Sequence, residues 1–374
     1  MKPAPAATPA PSFLDAPQDW DARLDARANP NPFITADWLG SWWRHFGTDS
    51  APWLVLAPGH GDFAVLRCAW EQFSGVPVRM ARLLVNGHCS RASLACFGPP
   101  EALAQAWMLE MQRLRSNWDC ARLDGLPAEG GLVEAILEQA RALGLRPAVQ
   151  RRWSHTWMPI RGRWDERVRA MSRNERKHLG RTGRRLQELG QVRWQQCREP
   201  GDIMLAFDAF LAMESRSWKA GGGEIIASRP EVEGFYRSVV TRFAARGQAV
   251  VDLFHLDSRL ISAVFSICHG RQQFLLKGSY DEAFATLSPS WHLFQHLLKD
   301  AFDRQQLDAI DFCGRRPFTE MWSDQSQSFC DLVIFSPTVI GRAVWLGQGA
   351  REHWRRLRLP RETPPSRQES VQGA

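Results

Sequence analysis

The chain has 374 residues, 44% of them hydrophobic, which is enough for two ordinary domains and too apolar for wholesale disorder. No apolar run approaches 18 residues, so a transmembrane helix is excluded. The eight cysteines (68, 89, 96, 120, 197, 268, 313 and 330) include no C-x-x-C pair, which argues against a zinc site or a disulfide framework and for a reducing cytoplasm. The net charge is +7 with a pI near 9.2, carried mostly by arginine and concentrated between Arg161 and Arg185. Such a surplus suits polyanionic partners: CoA phosphates, a nucleotide-linked sugar, tRNA or an anionic membrane surface.

In chain order, Met1 to Ser12 is rich in Pro and Ala, lacks the apolar core of a signal peptide and is expected to be a disordered leader. Thr35 then caps a helix on which Leu39, Trp42, Trp43 and Phe46 recur at helical spacing, with Gly47 as its stop. Short strands follow at Trp53–Ala57, Phe63–Trp70 and Val78–Val85. A helix over Glu101–Arg115, a strand over Ala121–Leu126, a helix over Leu132–Leu143 and a strand over Ala148–Met158 complete an α/β unit spanning 13–160. The basic segment 161–190 reads as a helical connector, with Ser172-Arg173-Asn174-Glu175 as a capping box and Gly190 as terminator.

The second unit, 191–345, is expected to run helix (Ala206–Lys219), glycines, helix (Pro230–Arg246), strands at Ala249–Leu256, Leu260–Cys268 and Gln273–Lys277, helix (Ser288–Arg304), and strands at Leu307–Cys313 and Phe329–Phe335. A basic helix and a disordered tail are expected over 346–374. The mixture of Trp345, Leu346 and Trp354 with arginines makes peripheral membrane contact conceivable there, although packing on its own domain is the commoner arrangement.

Between the third strand of this unit and its helix lies Lys277-Gly278-Ser279-Tyr280-Asp281-Glu282, read as a polar turn, then Ser288-Pro289-Ser290-Trp291. A helix start with Ser288 as N-cap and Pro289 in the first position offers free N–H groups and the positive end of a dipole, suited to a pyrophosphate. Ser288, Ser290 and Trp291 are therefore candidates for cofactor binding. Lys277 at a strand end could meet a phosphate or polarise a carbonyl, or snorkel from a sheet edge. Tyr280 is one of two tyrosines and could act as acid or hydrogen-bond donor; Asp281 and Glu282 could supply a base or cap the turn. Glu214, Trp218 and Lys219, read as one helix with the first two on a shared face, suit a sugar-binding acceptor pocket or a surface ion pair. His292 and His296 are four apart but lack a third ligand, and Cys313 has no base paired with it in sequence, so neither a metal nor a cysteine nucleophile is expected.

With its residues in this order, the chain resembles the GNAT superfamily of acyltransferases, and more closely the CelD/BcsL-type acetyltransferases of bacterial polysaccharide clusters, relatives of the Fem-type peptidyltransferases. The resemblance rests on Asn31-Pro32-Phe33 through Trp38, Trp42-Trp43 and Phe46-Gly47; on Met171-Ser172-Arg173-Asn174; on Glu214-Ser215-Arg216-Ser217-Trp218-Lys219; and on Lys277-Gly278-Ser279-Tyr280-Asp281-Glu282 with Leu287-Ser288-Pro289. It implies an α/β (α+β) fold of two GNAT-like domains, each a mixed, mostly antiparallel central sheet flanked by helices. It implies acetyl-CoA as acyl donor, no metal, and a hydroxyl or amine of a sugar or cell-envelope precursor as acceptor, with backbone N–H groups on parted strands as oxyanion donors. The site it implies comprises Lys277, Tyr280 and Asp281, with Asp311 added near the acceptor because the family has an acid there. Two other readings stay open: a Fem-like transferase using aminoacyl-tRNA, and a non-catalytic member that binds a nucleotide or scaffolds a polysaccharide biosynthesis complex. The sequence departs from the family's pattern at Ser290, where a glycine is usual, and ahead of Trp322, where Phe318-Thr319 replaces an aromatic-lysine pair.

Overall fold

A computed structural model describes residues 13–15, 17–25, 31–47, 52–57, 61–89, 91–222 and 225–358. The expected leader (1–12) and the tail beyond 358 lie outside the described residues. The first half contains helices α1 (Pro17–Asp25) and α2 (Ala36–Phe46), strands β1 (Trp53–Ala57), β2 (Asp62–Phe73), β3 (Val76–Leu83) and β4 (Leu94–Ala95), helix α3 (Pro100–Arg113), strand β5 (Cys120–Pro127), helix α4 (Leu132–Ala142) and the long strand β6 (Arg146–Pro159). Helices α5 (Trp164–Ala170) and α6 (Arg173–Leu189) make the connector. The second half has β7 (Val192–Cys197), α7 (Pro200–Glu214), α8 (Pro230–Ala245), β8 (Ala249–Leu256), β9 (Arg259–His269), β10 (Gln272–Tyr280), α9 (Pro289–Arg304), β11 (Ala309–Asp311), the single turn α10 (Pro317–Glu320), β12 (Ser326–Phe335) and α11 (Val339–Arg358).

One 12-stranded sheet runs through both halves in the order β1-β2-β3-β5-β12-β6-β11-β10-β9-β8-β7, with β4 on β2. Only β3/β5 and β10/β11 are parallel; the other pairs are antiparallel, as the sequence led us to expect of a mixed, mostly antiparallel sheet flanked by helices. Strand β6 joins the halves. It pairs with β12 from Arg146 to Thr156 and with β11 from Trp157 to Pro159.

Local signals set most of these elements. The Thr35 hydroxyl accepts the Trp38 N–H, and the Gly47 N–H closes α2 on the Trp43 carbonyl. On α6 the Ser172 hydroxyl accepts the Glu175 N–H while the Glu175 carboxylate accepts the Ser172 N–H, and Leu179, Thr182 and Leu186 are buried beneath an exposed cationic face.

Two features interlock the halves, and neither is a local signal. Helix α2 packs on α8 of the second half, where Trp38 meets Phe235 edge-on at 5.2 Å, and both join a core with Phe207, Phe265 and Phe274. Arg246 of the same second-half segment bonds Asp21 and Asp37 at 2.5 Å. Conversely β12, the last strand of the chain, lies between β5 and β6 of the first half, placing Leu332 and Ile334 in a core with Trp107, Trp118 and Leu123.

Several expectations need correction. Strand β7 was not foreseen: half its residues are polar, as its place at the sheet edge permits. Helix α7 starts at Pro200, earlier than expected, and stops at Glu214, so Trp218 and Lys219 fall in a separate 3-10 turn. The polar turn at 277 is absent, because β10 continues to Tyr280. Helix α11 begins at Val339 and packs back on the sheet: Val344 is buried, and Arg146 stacks on Trp345 at 3.7 Å. No helix among the described residues is long and apolar enough to cross a membrane.

Because β12 fills the sheet of the first half, a chain truncated at residue 325 should lose cooperative folding of that half rather than of the second half's edge. Loss of the near-UV CD signal and rapid proteolysis within 53–160 would be the readout; a protease-resistant first half in the truncated protein would refute the interlock.

Candidate active site at the parted strands

Strands β10 and β11 pair at Gln272/Ala309, Gln273/Ile310 and Phe274/Asp311, and there the pairing ends. β10 runs on to Tyr280 with β9 alone, after a bulge at Leu276 that shifts register between Leu275 and Lys277. β11 stops because its chain turns away. The Asp311 Oδ1 accepts the Cys313 N–H at 2.7 Å, and Cys313 takes φ 49°, the left-handed region. The other Asp311 oxygen pairs with Arg91 of the first half. The Arg91 guanidinium lies over the rings of Phe274 (5.4 Å) and Phe329 (5.6 Å), so a buried ion pair clamped by two aromatics fixes the floor of the gap.

Next to this pair is a cavity of about 860 Å³ between the halves. Leu276, Lys277 and Cys313 line it from the parted strands, with His88, His155 and a group of arginines from both halves. Lys277 is half-buried, with its Nζ 5.5 Å from the centre of the Tyr236 ring. Burial pushes its ammonium down to about 8, and the neighbouring Lys219 charge adds to this against the opposing pull of Glu214. His88, whose Nδ1 is 3.4 Å from the Tyr236 hydroxyl, is held near 4 by burial, with Lys277 and Arg229 reinforcing. His155 is likewise lowered to about 4, by burial first; its Nδ1 is 3.8 Å from Asp311 and has no hydrogen-bond partner among the described residues. At neutral pH the cavity therefore holds two uncharged imidazoles and one amine able to exchange a proton near pH 8.

The sequence candidates do not converge on one point. Lys277 and Tyr280 are three apart on a strand, so their side chains leave opposite faces of the sheet. Lys277 faces the α7/α8 side with Tyr236. Tyr280 pairs with Ser262, whose hydroxyl contacts Ser290 of α9 at 3.1 Å on the other side. The Tyr280 phenol is raised by burial and then by Glu282. Asp281 is buried, and Arg259 and Arg216 grip its carboxylate at 2.8 and 3.0 Å. Burial alone would raise its pKa, but these hydrogen bonds bring it below the ordinary carboxylate value; it also accepts the Ala283 N–H. It does not line the cavity.

Glu214 is 1% exposed whereas Trp218 is 55% exposed, so they share no face. The Glu214 carboxylate accepts the Ile226 N–H at 2.8 Å and the Lys219 Nζ at 3.2 Å. Lys219 in turn donates to the Gly278 carbonyl at 2.7 Å, tying the 3-10 turn to β10 beside Lys277. Asp311 is paired with Arg91 and does not itself line the cavity.

Ser288 is not a side-chain cap. It sits at φ 52°, ψ 52°, and its hydroxyl bonds the His178 Nε2 at 2.9 Å. The His178 ring packs on Trp291 at 4.7 Å, and together with Lys177 and Arg181 they line a depression of about 430 Å³ beside the start of α9. Trp291 and the basic connector, read separately in the sequence, thus meet. His292 is buried and bonds Thr182 at 2.9 Å, and His296 stacks on Trp194.

His88, His155 and Tyr236 escaped the sequence reading. Each is a single residue in an unremarkable segment; the packing of the halves brings His88 and His155 to the cavity, and Tyr236 reaches Lys277 from α8 within the second half.

A search of curated proteins finds no match to this sequence. Residues 173–318 match the family model of the acetyltransferase (GNAT) domain. Among solved structures, FemX is similar at TM-score 0.56 and 12% identity over 83% of this chain and 95% of its own. A conserved protein of unknown function from Bacteroides thetaiotaomicron is similar at TM-score 0.50 and 10% identity, over 84% of this chain and 97% of its own. At such identities the two structures speak to the fold alone. The chain carries a GNAT acyltransferase-like domain over residues 173–318, set in a fold similar to that of FemX.

Proposed function

We propose that this protein is a cytoplasmic acetyltransferase of the CelD/BcsL type that moves an acetyl group from acetyl-CoA to a hydroxyl or amine of a sugar or cell-envelope precursor. The observation that carries this reading is the early end of β10/β11 pairing beside the Leu276 bulge, which leaves an open strand edge next to Lys277. An extended thioester arm can lie along such an edge, and backbone N–H groups there can meet the carbonyl oxygen as it gains charge. The start of α9 and the Lys177, Arg181, Trp291 depression offer cations and a ring to the donor's phosphates and base.

The donor tail and the acceptor then occupy opposite faces of the sheet, and the gap between β10 and β11 is where they react. Lys277, lowered to about 8 by burial, is the base. Its neutral amine takes the proton from the acceptor as oxygen or nitrogen attacks the thioester carbon. The C–S bond breaks, and the resulting ammonium returns its proton to the departing thiolate. Glu214 and Lys219 position β10 instead of touching substrate.

A Fem-like reading, with aminoacyl-tRNA as donor, has one observation in its favour: Arg173, Lys177, Arg181, Arg184 and Arg185 are all exposed on α6. Binding of tRNA that falls steeply with salt, with no uptake of acetyl-CoA, would favour it.

Calorimetric titration should give micromolar acetyl-CoA binding; no binding at millimolar ligand would overturn the proposal. The transfer rate should rise with pH to a plateau above about 8, as Lys277 loses its proton. Lys277→Ala should lower kcat by roughly 10²–10⁴-fold and flatten that profile, and Lys277→Arg, which stays charged, should not restore it. Full turnover by Lys277→Ala would remove the base assigned here. In stability the sign is fixed by linkage: the unfolded lysine keeps its proton up to about 10.5 while the folded one releases it near 8. Lys277→Met should therefore be more stable than the parent at pH 7, with the difference shrinking between pH 8 and 10.5, as followed by urea unfolding.

A further inference from the structure

The cavity wall opposite Lys277 contains a charge arrangement that the acyl-transfer chemistry leaves unused. Arg82 on β3 and Arg122 on β5 are directly opposite each other in the parallel register. Like charges in that position are destabilising. They share Asp124, at 2.7 Å from each, and Arg82 also pairs with Glu71 at 3.3 Å. Two strands further on, Arg151 of β6 faces the same cavity and is opposite Asp331. The two form no ion pair: the Asp331 Oδ1 instead accepts the Gly125 N–H and the Trp153 indole N–H. From the far side, Arg315 is paired with Glu320, while Arg316, like Arg151, makes no ion pair among the described residues. Counting Lys277, six cations line the cavity beside three carboxylates, and Glu71 behind Arg82 is a fourth, which leaves a surplus of two; the two imidazoles add none at neutral pH.

We propose that this arginine wall binds the phosphate or diphosphate group of the acceptor, so that the substrate class is a phosphorylated sugar or related precursor with its reactive hydroxyl or amine near Lys277. The assignment rests on the acyl-transfer reading for the word acceptor, but the anion site stands on its own geometry. The cations issue from strands about 14 Å apart at the backbone and converge on one space. Arg151 and Arg316 have no carboxylate paired with them among the described residues; a doubly charged diphosphate can meet both, and planar guanidiniums match its oxygens in pairs. Asp124 holds Arg82 and Arg122 in place, so little side-chain freedom is lost on binding.

The test is calorimetric titration of inorganic pyrophosphate into the full chain at low and at physiological salt. Binding is expected, weaker at the higher salt. The double variant Arg151→Ala/Arg316→Ala should weaken it at least tenfold while leaving acetyl-CoA affinity unchanged. Neither residue is part of the packed core, so folding should survive, and an unaltered melting temperature checks this. The donor depression is the control: Arg181→Ala should leave the Arg151/Arg316-dependent binding intact. Absence of binding at 10-fold above a millimolar, or a loss that follows Arg181→Ala instead of the double variant, overturns the proposal. If pyrophosphate binds as expected but acetyl-CoA does not, the anion site holds and the acyl-transfer reading falls; the converse result removes the anion site alone.

Discussion

The buried pair between Arg91 and Asp311 is the contact on which the rest of the site depends. Asp311 is the last residue of β11, and its two oxygens do different work: one turns the chain by accepting the Cys313 N–H, the other holds a guanidinium sent across from the first half. Removing one partner from such a pair typically costs about 3–5 kcal/mol, because the other is left charged and unpaired. Here the loss would not be confined to stability. Without the hook on Cys313, β11 could continue alongside β10, and the strand edge beside Lys277 would close. Phe274 and Phe329 flank the guanidinium, one from each half of the sheet, so the pair also fixes how the halves meet.

Around this joint, burial sets the protonation states. Lys277, His88 and His155 are all shifted towards their neutral forms, with desolvation the largest cause in each. The carboxylates nearby are neutralised by specific partners: Glu214 by Lys219 and a backbone N–H, Asp281 by two arginines, Asp124 by two more. The result is a cavity with a proton-accepting amine on the strand side and fixed positive charge on the opposite wall.

Elements with strong local signals could be read from the sequence. The capping box at Ser172, the stop at Gly47, the periodicity of α8 and the strand pattern of β8 to β10 all emerged within a few residues of their observed bounds. Lys277 stands out in the sequence because it follows the apolar run Phe274-Leu275-Leu276. What could not be read depends on partners far along the chain. The bulge at Leu276 shows only against β9, and the pairing of Asp281 with Arg216 and Arg259 shows only once the fold brings them together. The arginine cluster is also invisible: Arg82 and Arg122 become neighbours only in the β3/β5 register, and Arg151, opposite Asp331, reaches the same cavity only through the fold. The shared face expected of Glu214 and Trp218 fails because α7 stops at Glu214 and the chain turns before the 3-10 segment that holds Trp218.

The position of β12 bears on how the molecule is made. Strands β5 and β6 are synthesised early but are not neighbours; the strand that joins them is the last of the twelve to leave the ribosome. At about 5–20 residues per second, the first-half sheet waits on the order of 10–40 s, with two unpaired edges, for its central member. Pairings between such distant segments are slow to find and prone to capture by other chains. The protein's vulnerable moment is therefore during its own translation, when a chaperone that shields β5 and β6 would matter most.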